Sequence, residues 1–201
     1  MPESIAMIYN LKKVCFNTDE QDQDEMTHRD KEDKRMGKKF FWFLVVAAVL
    51  HMTYCYPLLP DRMASHFDAC GRPNGWSGKI AFFSIYAGVV LLMAGIRIMT
   101  RRSLAKTPVS LINLPNKEYW LAPERRAESM VILERYMTAF WSATFIFLIC
   151  TMDLVFAANL GRSQILGEWF FVLLAAFVLF TLAWTVSLIK RFARKQEKCP
   201  E

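Results

Sequence analysis

The sequence predicts an all-α integral membrane bundle of four transmembrane helices with a structured extracytoplasmic loop. Three observations carry that reading. Charge makes up 22% of the 201 residues, yet it is absent from long stretches. The 21 residues between Lys39 and Asp61 and the 21 between Glu168 and Lys190 contain no Asp, Glu, Lys or Arg, and two uncharged runs of 17, Ile80–Ile96 and Tyr136–Met152, lie between them. A helix rises ~1.5 Å per residue and hydrocarbon is ~30 Å thick, so about 20 apolar residues span it. The long runs suffice as they stand; the shorter two suffice once their ends are extended.

The second observation is the distribution of Lys and Arg: eight in residues 1–39, three in 61–79, eight in 97–135, one in 159–168 and five in 190–201. The positive-inside rule produces this alternation when both termini and the central loop are cytoplasmic. The third is aromatic placement. Trp42, Tyr136 and Trp184 fall near the inner interface of that topology, and Tyr54, Tyr56, Trp76 and Trp169 near the outer one, where such rings prefer to sit.

Together these exclude a secreted disulfide scaffold, a soluble enzyme and a disordered tail. The net charge of +6 reads as a topology signal with contact to anionic headgroups. A nucleic-acid partner would need a basic stripe interleaved with aromatics on a soluble face, and none is expected.

Residues 1–39 carry eight basic and nine acidic side chains and are expected to form a disordered, solvated cytoplasmic arm. MGKKFFWFLVV from Met36 also reads as a complete start, which makes 1–35 a candidate mis-assigned upstream start that intact-mass measurement would decide. Phe40–Leu59 is too long and too far along the chain for a signal-peptide core and reads as a retained helix. His51 falls roughly mid-membrane, where an ionisable group is costly. It reads either as a proton relay or ligand contact, or as a neutral imidazole donating to a neighbouring helix.

The loop at 60–79 separates the two spans of a 40–99 domain. Tyr56–Lys79, YPLLPDRMASHFDACGRPNGWSGK, is dense in turn formers and is expected to be a series of turns. It lacks a G-x-S-x-G elbow, a phosphate-cradling loop, C-x-x-C and H-E-x-x-H. His66, Asp68 and Cys70 at i, i+2 and i+4 would project to one side of an extended segment and are legitimate metal-ligand types, short of the usual four. No metal or other cofactor is expected. Cys55 and Cys70 could pair in an oxidising compartment; Cys15, Cys150 and Cys199 are expected as thiols.

In the second span Ala81, Ser84, Gly88 and Gly95 share a helical face. Small residues there admit a close neighbour, expected to be another helix of the same bundle, with dimerisation as the sharper reading. The cytoplasmic segment 100–135 contains the turn-rich Leu111–Arg126. Its Tyr119 and Trp120 suit an interfacial anchor, or, with Arg125 and Arg126, a docking surface for a cytoplasmic partner. Pro123-Glu124 looks like a helix start that continues into the third span. Residues 136–189 then form a second two-span hairpin, followed by a basic cytoplasmic tail at 190–201. Asp153 is placed near the outer interface, paired with Arg62, Arg72 or Arg162.

The run LPDRMASHFDACGRPNGWSGK resembles the signature of a bacterial membrane-protein family of unknown function that also forms part of SdpI-type immunity proteins. The matching positions are Pro60, His66, Phe67, Gly71, Pro73 and Lys79. NLPNKEYWLAPERR (Asn113–Arg126) is similar to a segment that accompanies this domain in a four-span subgroup. The resemblance implies a multi-pass protein of the bacterial inner membrane. In SdpI-type proteins it implies protection against a secreted antimicrobial peptide and tethering of a transcriptional repressor, although the chain departs from that pattern after the second span.

The resulting expectation is a non-enzymatic membrane protein that senses, or confers immunity to, a membrane-active factor. It would bind a peptide or protein partner through His66, Phe67, Asp68, Asn74, Trp76 and Lys79. The alternatives are a membrane enzyme or metal-dependent protein using His66, Asp68 and Asp61, and a small oligomeric transporter using His51 and Asp153.

Overall fold

The computed structural model describes residues 32, 35–104, 107–161 and 166–193. The expected N-terminal arm up to residue 31 and the tail from residue 194 lie outside the described residues, as do Cys15, Arg162 and Cys199.

Among the described residues four helices are long and apolar enough to cross a membrane. They are α1 (Arg35–Leu58), α2 (Lys79–Leu104), α4 (Arg126–Asn159) and α5 (Glu168–Ala193), with a one-turn α3 (Lys117–Trp120) between α2 and α4. The chain is therefore a multi-pass, all-α membrane protein. Helix α1 is described from Arg35, ahead of the apolar run, and Lys38 and Lys39 are already in helical backbone. Its last three residues, Tyr56–Leu58, tighten into a 3-10 turn with a proline in its first positions, where the missing N–H costs nothing. Helix α4 begins at Arg126 rather than at Pro123. Arg125 and Arg126 both donate to Ala122 O, which leaves Pro123 and Glu124 inside a turn. At 34 residues it is ~51 Å long, more than hydrocarbon requires, so one end projects beyond the apolar layer as the sequence suggested.

The loop between α1 and α2 is more ordered than a series of turns. It forms an antiparallel hairpin, β1 (Arg62–Phe67) against β2 (Pro73–Gly78), with Met63 opposite Ser77 and Ala64 opposite Trp76. The register slips on either side of His66, which faces Gly75. Proline at the start of β2 is tolerated because its missing N–H is not needed on a strand's first residue.

Helices α1, α2 and α4 close around one core. Phe41, Leu44, Ala48 and Cys55 of α1 meet Phe83, Tyr86 and Val90 of α2 and Phe145 and Phe156 of α4, with Leu59 and Met63 closing the hairpin end. Phe156 is the hub. Its ring stacks on Phe83 at 5.4 Å and lies 5.1 Å from the His51 imidazole, contacts worth about 0.5–1.5 kcal/mol per aromatic pair beyond area. Helix α5 packs on the outside of α4. Phe147 stacks on Phe177 at 4.5 Å, and the Trp184 indole N–H donates to Tyr136 O at 2.9 Å.

The small-residue face of α2 does not pack inside the bundle. Ala81, Ser84 and Gly88 are exposed, and a Cβ added at Gly88 or Gly95 would meet nothing within 4 Å. The bulky Phe83, Tyr86 and Val90 occupy the buried face instead, because three large side chains one turn apart bury more area than glycines can.

Candidate functional site

Backbone groups around the hairpin are satisfied by the Lys79 and Asn159 side chains and by the backbone at Leu166, and this fixes the hairpin on the helices. The Lys79 ammonium donates to Leu59 O at 2.6 Å, sits 3.7 Å from Asp61 Oδ1 and lies over the Tyr56 ring at 5.0 Å. A carbonyl left open at the end of the 3-10 turn thus gains a charged donor. Across the bundle, Asn159 Oδ1 accepts from Ala64 N at 2.7 Å and Asn159 Nδ2 donates to Ala64 O at 3.1 Å. Leu166 N donates to Gly71 O at 2.7 Å. Gly71 has φ +73°, a conformation that side chains strain, and a Cβ added there would crowd Leu166 N at 3.3 Å.

The turn is built by Asp68. Its Oδ1 accepts from Cys70 N at 2.8 Å and Arg72 N at 2.9 Å, an Asx-type arrangement. The strand therefore ends at Phe67, and His66, Asp68 and Cys70 do not form one extended row. Among the described residues no three His, Cys, Asp or Glu side chains are grouped so as to hold a metal ion. Cys55 and Cys70 are not joined in a disulfide. Cys55 is in the core and Cys70 is exposed at the turn.

Beneath the hairpin, between α2 and α4, lies a cavity of about 420 Å³. Its rim is polar and aromatic: Ser65, His66, Trp76 and Ser77. Its floor is Phe82, Ile85 and Val89 of α2 with Leu148 and Met152 of α4. The His66 ring lies against Gly75, where an added Cβ would come within 3.1 Å of His66 Cβ and 3.2 Å of Cδ2. Trp76 is exposed and carries the Arg62 guanidinium 5.7 Å above its ring. Two hydroxyls lining this cavity, Ser77 Oγ and Tyr86 Oη, are buried without a hydrogen-bond partner among the described residues. An unpaired buried hydroxyl costs about 1–3 kcal/mol, and Tyr86 is only 3% exposed. These are groups a ligand could satisfy.

The outer-loop candidates therefore separate. His66 and Trp76 line the cavity; Asp68 shapes the turn, and Lys79 braces the base of the hairpin. Asn74 is exposed, and Phe67 is half-buried opposite Pro73. The sequence reading missed Tyr86, a hydroxyl within an apolar span, and Asn159, an amide ending one; for Asn159, polarity at the edge of a greasy run was the available signal.

His51 and Asp153, assigned to different depths, face one another: His51 Nε2 lies 3.5 Å from Asp153 Oδ1. They are seven and six residues from the hairpin-side ends of α1 and α4, ~10 Å below those ends. The proposed arginine partners of Asp153 give way to this contact, with Arg162 outside the described residues. The His51 ring is largely enclosed, 16% exposed, while the Asp153 side chain is 73% exposed.

At the opposite end, the inner-loop candidates dock onto α5. Trp120 is 1% exposed, and its indole N–H donates to Phe192 O at 2.7 Å. Asn116, in the left-handed region at φ 50°, donates to Ala193 O at 2.9 Å. Both cap carbonyls that a helix C-terminus leaves open. Trp120 is thus spent within the fold rather than presented to a partner. Tyr119 lies under the Arg125 guanidinium at 4.1 Å, and Arg126 donates to Thr107 O at 2.9 Å.

No curated protein matches the chain at a significant level, and no solved structure does. Residues 43–90, from within α1 through the whole hairpin and into α2, match the family model described as "Domain of unknown function (DUF1648)".

Proposed function

We propose that this is a non-enzymatic membrane protein that senses, or confers immunity to, a membrane-active amphipathic factor held where the hairpin meets α2 and α4. One observation carries the reading: the cavity combines an apolar floor with a polar rim containing His66 and Trp76, and leaves the Tyr86 and Ser77 hydroxyls unpaired. An amphipathic peptide offers both halves of that match, since its apolar side chains fit the floor and its backbone amides supply hydrogen-bond partners. The likeness of the hairpin sequence to part of SdpI-type immunity proteins supports the same class of ligand. In this reading the hairpin faces outward from the bacterial inner membrane and both termini are cytoplasmic, as the Lys and Arg alternation argues.

The test is a strain lacking the protein, challenged with membrane-active peptides and complemented with wild type, His66→Ala or Trp76→Ala. Expression at wild-type level with loss of protection or signalling in both variants is the expected result. Wild-type behaviour in both would remove the hairpin from the function.

A second reading, proton-coupled transport, is favoured by the contact between His51 and Asp153, since paired ionisable groups within a span commonly mark a proton path. Proton flux in proteoliposomes that Asp153→Asn abolishes would support it.

A further inference from the structure

At the end of the bundle opposite the hairpin, a second cavity of about 470 Å³ lies between α1 and α2. It is lined by Lys38, Arg97 and Arg102 together with Phe41, Trp42 and Ile98. Three cations from two helices converge there, and no acidic side chain is among the lining residues. Arg97 is 6% exposed, an expensive position for a guanidinium inside an apolar helix. It is held by donation to Thr138 Oγ1 at 2.6 Å, by Glu134 at 3.9 Å and by the Phe41 ring at 5.8 Å. Glu134 balances one of the three charges; Lys38 and Arg102 are exposed.

We propose that this cavity is a binding site for the phosphate group of an anionic phospholipid. The cations supply the phosphate contacts, Arg97 fixed in place by its own partners and Lys38 and Arg102 free to close on the headgroup. Phe41, Trp42 and Ile98 supply an apolar and aromatic wall for the glycerol and upper acyl carbons at the depth where Trp prefers to sit. A soluble phosphate would use the first set of contacts and leave the second without a purpose. Charge scattered along a headgroup surface attracts anionic lipid diffusely; a walled pocket with three convergent cations makes the contact stoichiometric.

The test is retention of lipid by the purified full chain in native mass spectrometry. Dioleoylphosphatidylglycerol, dioleoylphosphatidylcholine and inorganic phosphate are offered separately to the wild type, to Lys38→Ala/Arg102→Ala and to Lys190→Ala. Lys190 is exposed in the last turn of α5 and does not line the cavity. The wild type should hold one phosphatidylglycerol about tenfold or more in preference to phosphatidylcholine, with most of that preference lost in the double variant and kept in Lys190→Ala. Unchanged helicity and elution of the double variant would show that it still folds. Equal retention of the two lipids, wild-type retention by the double variant, or displacement of the lipid by inorganic phosphate at equal concentration would each overturn the proposal.

Discussion

The Asn159 side-chain amide occupies both backbone hydrogen-bonding groups of Ala64, accepting from its N–H at 2.7 Å and donating to its carbonyl at 3.1 Å. One side chain at the end of α4 thereby acts as a short neighbouring strand for β1. Ala64 is buried, so Asn159→Leu leaves its polar groups dry and unpaired, at about 1–3 kcal/mol. Hydrogen exchange should accelerate through β1 and β2 while the midsections of α2 and α4 keep their protection. Unchanged exchange in the hairpin would show that the clamp contributes nothing.

Two glycines with opposite surroundings give a paired prediction. Gly75→Ala forces a methyl to within 3.1 Å of His66 and should destabilise the protein by about 1 kcal/mol or more as the imidazole is pushed aside. Gly88→Ala meets nothing within 4 Å and should be neutral or gain up to about 1 kcal/mol of helix propensity. Thermal unfolding of both variants in one detergent ranks them, and the reverse order would contradict the packing described for both sites.

Lys79→Met keeps most of the aliphatic stem but removes the donor to Leu59 O. A hydrogen bond from a charged group is worth about 1.5–3 kcal/mol, so the midpoint of unfolding should fall. Asp61→Asn should cost far less, because its carboxylate is fully exposed and 3.7 Å away and surface ion pairs contribute little. Comparable losses in the two variants would reassign the role of the lysine from carbonyl donor to ion-pair partner.

The span count was legible in the sequence because hydrocarbon imposes a length and excludes charge, and both constraints act on local composition. Pro57 marked the 3-10 turn, Pro60 the break after it and Gly71 the hairpin turn, whereas Pro73, read as a turn former, opens β2. The docking of the hairpin on the bundle involves Asn159, 95 residues from Ala64, and Leu166, equally far from Gly71, which no local pattern encodes. The same limit applies to the α2 face. Spacing placed Ala81, Ser84 and Gly88 together, but whether that face is covered depends on which way the helix is turned, and the larger Phe83, Tyr86 and Val90 determine that. For His51 and Asp153, depths counted from separate helix ends could not show that the two helices bring them level.

The contact between His51 and Asp153 should appear as coupling. His51→Phe retains an aromatic ring against Phe156 and removes the imidazole, while Asp153→Asn removes the charge. If the 3.5 Å contact matters energetically, the double variant will depart from the sum of the singles by about 0.5–3 kcal/mol in a thermodynamic cycle. Strict additivity would assign the His51 ring to aromatic packing alone.

Cys70 can report which side of the membrane the hairpin occupies. It is exposed in the turn, whereas Cys55 is in the core and Cys150 lies within the apolar length of α4, where a charged, membrane-impermeant maleimide does not reach. Under the proposed orientation Cys15 and Cys199 belong to cytoplasmic segments, so in intact cells the reagent should modify one thiol, and Cys70→Ser should abolish the signal. After lysis the same variant should label again through the remaining accessible thiols. Once the reduced Cys70 thiol is shown to be reactive in the purified protein, its protection in intact cells and exposure on lysis would invert the topology. The cavity under the hairpin would then open toward the cytoplasm, where a factor arriving from outside the cell could not reach it directly.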